Sequence, residues 1–287
     1  MRVMKDAQPF LEPVMSVQLR NNVNVMGEGP TTLIFAHGFG CDQNMWRFMS
    51  PHFAEHFRVV LFDLVGSGQS DTSAYYPHKY SSLTGYATDL LELVDEFGGS
   101  GPIIHVGHSV SCMIAVLAEL QSPGRFLGHV MVGPSPHYLN DGDYHGGFTR
   151  ADVDSLLETL ESNYLGWSST MAPTLMGASD RPELGEELMD SFCRTNADMA
   201  KQFARVTFLS DHRADVALFN AKALILQSSD DLVVPVQVGE YLHAAIPDST
   251  LHMIHNVGHY PHMSAPQACI DAMNQFFDSF GSALHGR

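Results

Sequence analysis

The run Gly107-His108-Ser109-Val110-Ser111 carries residue types that could perform acyl transfer. It follows an apolar, β-branched run (103–106) and precedes a helix-like run (112–118). This strand–turn–helix setting is typical of a nucleophile elbow, a sharp turn that projects a serine hydroxyl from the end of a sheet. Small residues flank such a serine because the strand and helix backbones come close together. We therefore predict that Ser109 is a nucleophile rather than a plain turn serine, although Ser111 replaces the last glycine of G-x-S-x-G.

A serine hydroxyl is a poor nucleophile near neutral pH, so it needs a general base and a carboxylate that orients the base. In enzymes with this turn, the acid and then the histidine follow the serine along the chain. Two later loops each follow a predicted strand, and they carry Asp230-Asp231 and His259. We predict His259 as the base because Gly258 permits a sharp loop before it. Asp231, which directly precedes an apolar segment (232–235), is favoured as the acid, and Asp230 is the alternative.

The negative charge that develops on a carbonyl oxygen during acyl transfer needs preorganised donors, usually two backbone N–H groups. The residue after the nucleophile, Val110, would supply one of them at the start of a helix. Phe39 would supply the other, since it lies in the glycine-flanked loop His37-Gly38-Phe39-Gly40 after a predicted strand. We predict an oxyanion hole formed by the Phe39 and Val110 amides.

Short β-branched runs alternate with longer helical runs along most of the chain. Strands are predicted at 31–36, 58–63, 103–106, 130–132, 223–227 and 250–254. This alternation predicts an α/β fold with a mostly parallel central sheet and helices on both of its faces. A hairpin is predicted ahead of these strands, with arms at 14–19 and 23–26 on either side of Asn21-Asn22.

Strand signals stop after about residue 136 and resume only beyond 211. The helices predicted in this stretch are 152–164, 181–193 and 198–210. We interpret 137–211 as a helical insertion over the carboxyl ends of the strands, where open α/β sheets bind ligands. The predicted core then comprises 15–136 and 212–287, and 1–14 is interpreted as a loose extension or a misassigned start.

Five aromatic residues in or near this insertion could line an apolar pocket above Ser109. They are Phe39, Tyr138, Phe148, Trp167 and Phe208. Burial in the core is the alternative for each of them, because most such residues are core residues. We predict that the pocket binds a small hydrophobic ligand or substrate.

Four histidines are close together near the end of the chain: His252, His255, His259 and His262. Their density suggests a metal site, but no acidic or cysteine partner is spaced with them as a metal ligand would be. Packing or surface positions are therefore favoured for the three that are not the base. We predict no metal and no cofactor.

The composition is that of a globular protein, since 45% of the 287 residues are hydrophobic and 16% are charged. The formal net charge of −17 argues against nucleic acid or an anionic membrane as a partner. Every apolar run ends well short of the roughly 18 residues that a membrane-spanning helix needs. The four cysteines (Cys41, Cys112, Cys193, Cys269) are scattered without a C-x-x-C pair, which predicts reduced thiols in the cytoplasm.

Several longer motifs carry a resemblance to a known family. They include HGFGCDQ (37–43), DLVGSGQS (63–70), GHSV (107–110), YLND (138–141) and GGF (146–148). With them the chain resembles the α/β-hydrolases that include the bacterial stress regulator RsbQ and the strigolactone and karrikin receptors of plants. Residues 211–213 (DHR) place it closest to RsbQ, whereas Ser111 resembles the plant receptors.

This resemblance covers roughly residues 16–280 and implies an α/β-hydrolase fold with a four-helix, V-shaped lid over a hydrophobic pocket. It also implies a monomer and a catalytic triad of Ser109, Asp231 and His259. The first function that follows is a carboxylic-ester or lactone hydrolase with a serine nucleophile. The second, implied by the resemblance to RsbQ, is a small-molecule receptor or regulator in a stress response that works through a PAS-domain phosphatase. Non-hydrolytic lyases and cofactor-free oxygenases of the same fold form a weaker third class, against which the intact triad argues.

Overall fold

The computed structural model describes residues 16–285, so the predicted extension at 1–14 lies outside the described residues. One seven-stranded sheet forms within this range. Its strands are β1 (Asn24–Met26), β2 (Thr32–Ala36), β3 (Arg58–Phe62), β4 (Ile103–His108), β5 (Gly128–Val132), β6 (Ala223–Asp230) and β7 (Ser249–Val257). Their order across the sheet is β1-β3-β2-β4-β5-β6-β7, with β1 antiparallel to β3 and all other neighbours parallel.

Helices connect and cover these strands. They are α1 (Val17–Arg20), α2 (Ser50–Ala54), α3 (Leu83–Phe97), α4 (Val110–Gln121), α5 (Arg150–Ser162), α6 (Tyr164–Met176), α7 (Pro182–Arg194), α8 (Ala197–Phe208), α9 (Arg213–Val216), α10 (Val236–Ala245), α11 (Pro261–Ser264) and α12 (Pro266–Asp278). Every residue of β2, β4 and β5 is buried, which requires cover on both faces of the sheet. The predicted α/β-hydrolase architecture, with its mostly parallel sheet, is confirmed.

The parallel strands bring the predicted chemistry to one edge of the sheet. Parallel strands that share a sheet end on the same side, so the loops that follow β2, β4, β6 and β7 meet there. These loops begin at His37, Ser109, Asp231 and Gly258 respectively. Residues separated by more than 200 positions in the chain are therefore neighbours in space.

The predicted hairpin at 14–26 is wrong in its first arm. Val17–Arg20 forms a single helical turn instead, and the Ser16 side chain caps it by accepting a hydrogen bond from the Leu19 amide at 3.3 Å. β1 pairs antiparallel with β3, a partner more than 30 residues away, and not with the residues before it. The side-chain cap and the long-range pairing together outcompete the local hairpin, and the part of that arm at 14–15 lies outside the described residues.

The chain between β5 and α9 contains α5, α6, α7 and α8. A bridge between His137 and Asp211 joins the two ends of this helical insertion. The predicted helix at 152–164 is shorter at its end, because Asn163 leaves helical geometry and its side chain caps α6 by accepting from the Gly166 amide at 3.0 Å. α6 continues through Pro173 and packs against α7, where Gly185 leaves room for the proline ring. The domain boundaries and the V shape of a lid stay predictions.

Among the helices in residues 16–285, none has both the length and the apolar composition needed to cross a membrane.

We predict that the free energy of unfolding decreases in mild acid, because four histidines are buried in the core. His105, His108, His129 and His262 are at most 1% exposed, and burial lowers the pKa of each imidazole below its usual value. The unfolded chain then binds protons near pH 6.5 that the folded protein excludes, so the free energy of unfolding decreases as the pH falls below about 6.5. Each such group contributes up to about 1.4 kcal/mol per pH unit. We expect denaturant titrations at pH 7.5 and 5.5 to show this decrease, and His105→Leu to reduce its slope. Equal stability at the two pH values would contradict the prediction.

Candidate active site

The turn between β4 and α4 holds Ser109 in a strained backbone conformation. Its φ is 54° and its ψ is −122°, and it shares positive φ with only one other non-glycine residue in 16–285. A Cβ at Gly107 would collide with the His105 ring, so glycine is required there. Ser111, at the position of the usual last glycine, is fully buried, and its hydroxyl donates to the His37 carbonyl at 2.5 Å. This serine therefore ties the elbow to the loop after β2, which explains the departure from G-x-S-x-G.

A continuous chain of hydrogen bonds joins the three residues predicted as the triad. His259 Nδ1 lies 2.7 Å from Asp231 Oδ2, and His259 Nε2 lies 2.9 Å from Ser109 Oγ. Because a carboxylate only accepts, Nδ1 carries the proton and Nε2 is free to accept from the serine hydroxyl. The other carboxylate oxygen of Asp231 accepts from the Val233 and Val234 amides at 2.8 and 3.1 Å. The orientation of the imidazole is thus set by a carboxylate that is itself held at both oxygens.

The structure brings Asp231, and not Asp230, to the histidine. β6 runs through Asp230, whose side chain is exposed, and its pairing with β7 is irregular between Ser228 and Asp230. Asp231 is the first residue beyond the strand, and its side chain is 1% exposed. Adjacent residues of a strand face opposite sides, so the carboxylate of Asp230 faces solvent whereas that of the next residue, Asp231, is buried.

The loop that carries His259 is held by backbone contacts from the helical insertion. The His259 amide donates to the Leu175 carbonyl at 2.8 Å, near the end of α6. Gly258 has a φ of 102°, and a Cβ there would collide with the Met176 carbonyl oxygen. On the opposite side, His108 Nε2 donates to the His259 carbonyl at 2.9 Å. Burial holds the pKa of His108 well below its usual value, so this ring is a neutral donor.

We expect Gly258→Ala to lower kcat/KM for any substrate of this site by about 100-fold, because the side chain must push the His259 loop away from α6 and a displacement of about 1 Å has that effect. The matched control is Gly124→Ala. Gly124 also has positive φ, 77°, but an added Cβ would meet no atom within 4 Å. Steady-state kinetics and thermal unfolding of both variants separate the effect of the displaced His259 loop from the effect of backbone strain at a glycine with positive φ. Equal kinetic losses in the two variants would show that backbone strain, and not the histidine position, is responsible.

The two predicted oxyanion donors lie in the turn that carries Ser109 and in the loop after β2. Val110 begins α4, and the first amides of an α-helix have no acceptor within the helix. Within residues 16–285 the Phe39 amide likewise donates to no acceptor, and its side chain lines the cavity beside Ser109. Glycines flank Phe39 because a Cβ at Gly38 would collide with the His108 ring and one at Gly40 with the Phe192 ring.

An apolar cavity of about 100 Å³ lies over Ser109. All five aromatic residues predicted for the pocket line it: Phe39, Tyr138, Phe148, Trp167 and Phe208. The Phe39 ring is central, with its centroid 6.3 Å from that of Trp167 and 6.2 Å from that of Phe208. The cavity is thus shared between the sheet edge and the helical insertion.

Sequence reasoning missed further residues of the cavity wall. They are His108, Leu156, Met171, Leu175, Phe192, Thr207, Leu232, Val233 and Tyr260. Met171 and Leu175 follow Trp167 at four-residue intervals on α6, a spacing that identifies one helix face and could have revealed them. Phe192 follows Leu184 and Leu188 at the same four-residue interval on α7, a spacing that predicts burial, but only the packing of α7 on α6 places its ring against Trp167 at the cavity.

Tyr138 places a second hydroxyl near the nucleophile. Its Oη lies 3.5 Å from Ser109 Oγ, at the outer limit of a hydrogen bond. Burial raises the pKa of Tyr138, so the phenol stays protonated and is a donor at neutral pH.

The four histidines near the end of the chain do not converge. His255 is exposed, whereas His262 is buried, with its ring centroid 4.5 Å from that of Trp46. No group of three or more His, Cys, Asp or Glu side chains is arranged to hold a metal ion in the described part of the chain.

A sequence model of the alpha/beta hydrolase family matches residues 33–272. The chain belongs to this family. It is 38% identical to the karrikin insensitive 2 receptor CA of Petunia hybrida over 90% of this chain and 95% of that protein. It is 37% identical to the strigolactone esterase D14 of Arabidopsis thaliana over 85% of this chain and 91% of that protein. Among solved structures, a hydrolase from Oleispira antarctica superposes with a TM-score of 0.88 at 42% identity, covering 91% of this chain and 96% of that one.

These relatives confirm the predicted resemblance to the strigolactone and karrikin receptors. The predicted greater closeness to RsbQ stays a prediction.

Proposed function

We propose that this α/β-hydrolase is a serine hydrolase that cleaves small apolar esters or lactones. The observation that carries the proposal is the hydrogen-bonded chain from Asp231 through His259 to Ser109 at the floor of an apolar cavity. His259 Nε2 takes the proton as Ser109 Oγ attacks the carbonyl carbon. The Phe39 and Val110 amides stabilise the resulting oxyanion, and His259 then protonates the leaving oxygen. Water, activated by the same imidazole, releases the acyl group.

The cavity limits the size and charge of the substrate. A cavity of about 100 Å³ is smaller than the roughly 150 Å³ cavity that holds benzene in a well-studied protein. Nearly all of its wall is apolar, so a charged substrate would lose its hydration without a compensating partner. We therefore expect short acyl groups or small lactone rings to be accepted and nucleotides to be excluded.

An alkyl fluorophosphonate tests the nucleophile directly, since it phosphonylates activated serines. We expect intact-mass analysis to show one adduct per chain, peptide mapping to place it on Ser109, and turnover of 4-nitrophenyl acetate to disappear in parallel. An adduct on another serine, or full turnover after complete labelling of Ser109, would contradict the proposal.

A second candidate is a small-molecule receptor whose hydrolysis serves signalling. It is favoured by the similarity to the karrikin insensitive 2 receptor CA, which is 38% identical over 90% of this chain. In this function the protein acts as a cytoplasmic monomer, and a PAS-domain phosphatase is the proposed partner. A slow release of the acyl group, measured as one rapid turnover per chain followed by a stall, would favour the receptor over a multiple-turnover hydrolase.

A further inference from the structure

Thr207 is a buried hydroxyl of the cavity wall with no partner. It lies on α8 and is 2% exposed. Its Oγ1 forms no hydrogen bond with any group in residues 16–285. A buried hydroxyl without a partner is unfavourable, because it loses its hydrogen bonds to water and gains none.

Several other helical hydroxyls of this chain donate to a local acceptor. Thr159, Ser168 and Thr170 each donate to the carbonyl four residues earlier, at 2.8, 2.8 and 3.0 Å. This bond is the usual outlet for serine and threonine inside a helix. Thr207 does not donate to the carbonyl four residues earlier, so its hydroxyl is unpartnered at the wall of the cavity.

Most other polar side chains of the cavity wall have a neighbouring polar group, although His108 Nδ1 has no hydrogen-bond partner in the described residues and faces the backbone of Gly38. His108 donates to the His259 carbonyl, and the Tyr260 hydroxyl lies 3.9 Å from Cys41 Sγ. Tyr138 and His259 face Ser109 itself. Thr207 is thus the buried hydroxyl of the wall that has no hydrogen-bond partner in residues 16–285.

We propose that Thr207 Oγ1 binds a second oxygen of the substrate. The substrate class is then an ester or lactone that carries an ether, hydroxyl or carbonyl oxygen outside the scissile group, since a threonine hydroxyl both donates and accepts. This inference rests on the proposed hydrolase function and assigns Thr207 as a specificity-determining residue within it. A purely hydrocarbon acyl group would leave the hydroxyl unpartnered, and the site would discriminate against it.

Two esters of the same shape test the subsite. The acyl groups of 4-nitrophenyl butyrate and 4-nitrophenyl methoxyacetate differ by one methylene replaced with an ether oxygen. We expect Thr207→Val to lower the ratio of kcat/KM for the methoxyacetate to kcat/KM for the butyrate by about tenfold, the effect of one lost hydrogen bond. Thr207→Ser is expected to keep most of the wild-type ratio. Thr170→Val, an exposed change on α6, is the matched control and is expected to keep it fully.

A ratio in Thr207→Val equal to that of the wild type would overturn the subsite. Calorimetric binding of the same two esters to Ser109→Ala, with and without Thr207→Val, separates the subsite from the hydrolase proposal. If the hydrolase proposal is wrong, the wild type cleaves neither ester. The subsite is still supported in that case if Ser109→Ala binds the methoxyacetate more tightly than the butyrate and the added Thr207→Val change removes this difference in affinity. Absence of that preference, or of any binding, counts against the subsite.

Thermal unfolding should show no loss of stability in Thr207→Val, because the valine methyl replaces an unpartnered hydroxyl.

Discussion

Ser109→Ala is expected to lower kcat for a short-chain 4-nitrophenyl ester by on the order of 10⁶-fold, as removal of the nucleophile does in a well-studied serine hydrolase. The oxyanion amides and the cavity remain, so weak binding of the ester should survive. Alanine keeps the strained turn and deletes only the hydroxyl that His259 activates. Steady-state kinetics measure the loss, and thermal unfolding verifies the fold.

Ser169→Ala is the matched control for this change. Ser169 is exposed on α6, and its hydroxyl bonds only to the Leu165 carbonyl in the described chain. We expect its kinetics to equal those of the wild type. Retention of more than about one-thousandth of the wild-type kcat in Ser109→Ala would exclude the serine as nucleophile, since oxyanion stabilisation and binding alone accelerate such reactions only by about 10³ to 10⁴ over water.

Asp231→Asn is expected to lower kcat by about 10⁴-fold. The amide would present an N–H where His259 Nδ1 now donates, so the imidazole would adopt the other tautomer and place its proton on Nε2. It could then no longer accept from Ser109, although the shape of the site would be nearly unchanged. The loss should therefore appear in kcat more than in KM.

Asp230→Asn provides the neighbouring control. The Asp230 side chain is exposed, and only its backbone carbonyl takes part in the loop by accepting from the Gly258 amide at 2.7 Å. Its kinetics should stay close to those of the wild type. A larger loss at position 230 than at 231 would mean that the orienting carboxylate is Asp230 and that the loop rearranges when substrate binds.

The two proposals are connected by the helical insertion. α6 supplies the Leu175 carbonyl that holds the His259 amide, and α8 supplies Thr207 to the cavity wall. A substrate that fills the cavity therefore contacts the same helices that position the catalytic base. Under the two proposals, the substrate preference and the position of His259 therefore depend on the same packed helices.

Local sequence patterns were sufficient to predict the parallel strands and the loops that carry the candidate site residues. The apolar runs that became β2 to β7 are short and β-branched, and each of them is followed by the turn residues that end it. Because the carboxyl ends of parallel strands share one edge, the order of loops along the chain was enough to predict that Ser109, the Asp230-Asp231 pair and His259 would be neighbours. The alternation of strands and helices and the meeting of these three loops therefore follow from local patterns.

Contacts between elements that are distant in the chain could not be predicted from local patterns. The choice between Asp230 and Asp231 depends on an irregular register between β6 and β7, which no local pattern records. β1 pairs with β3 and not with Val17–Arg20, which forms a helical turn capped by Ser16. The unpartnered hydroxyl of Thr207 is visible only once α8 is packed over the cavity. Periodicity specifies which face of an element is buried, but the particular neighbour that meets it is set by the packing of the whole chain.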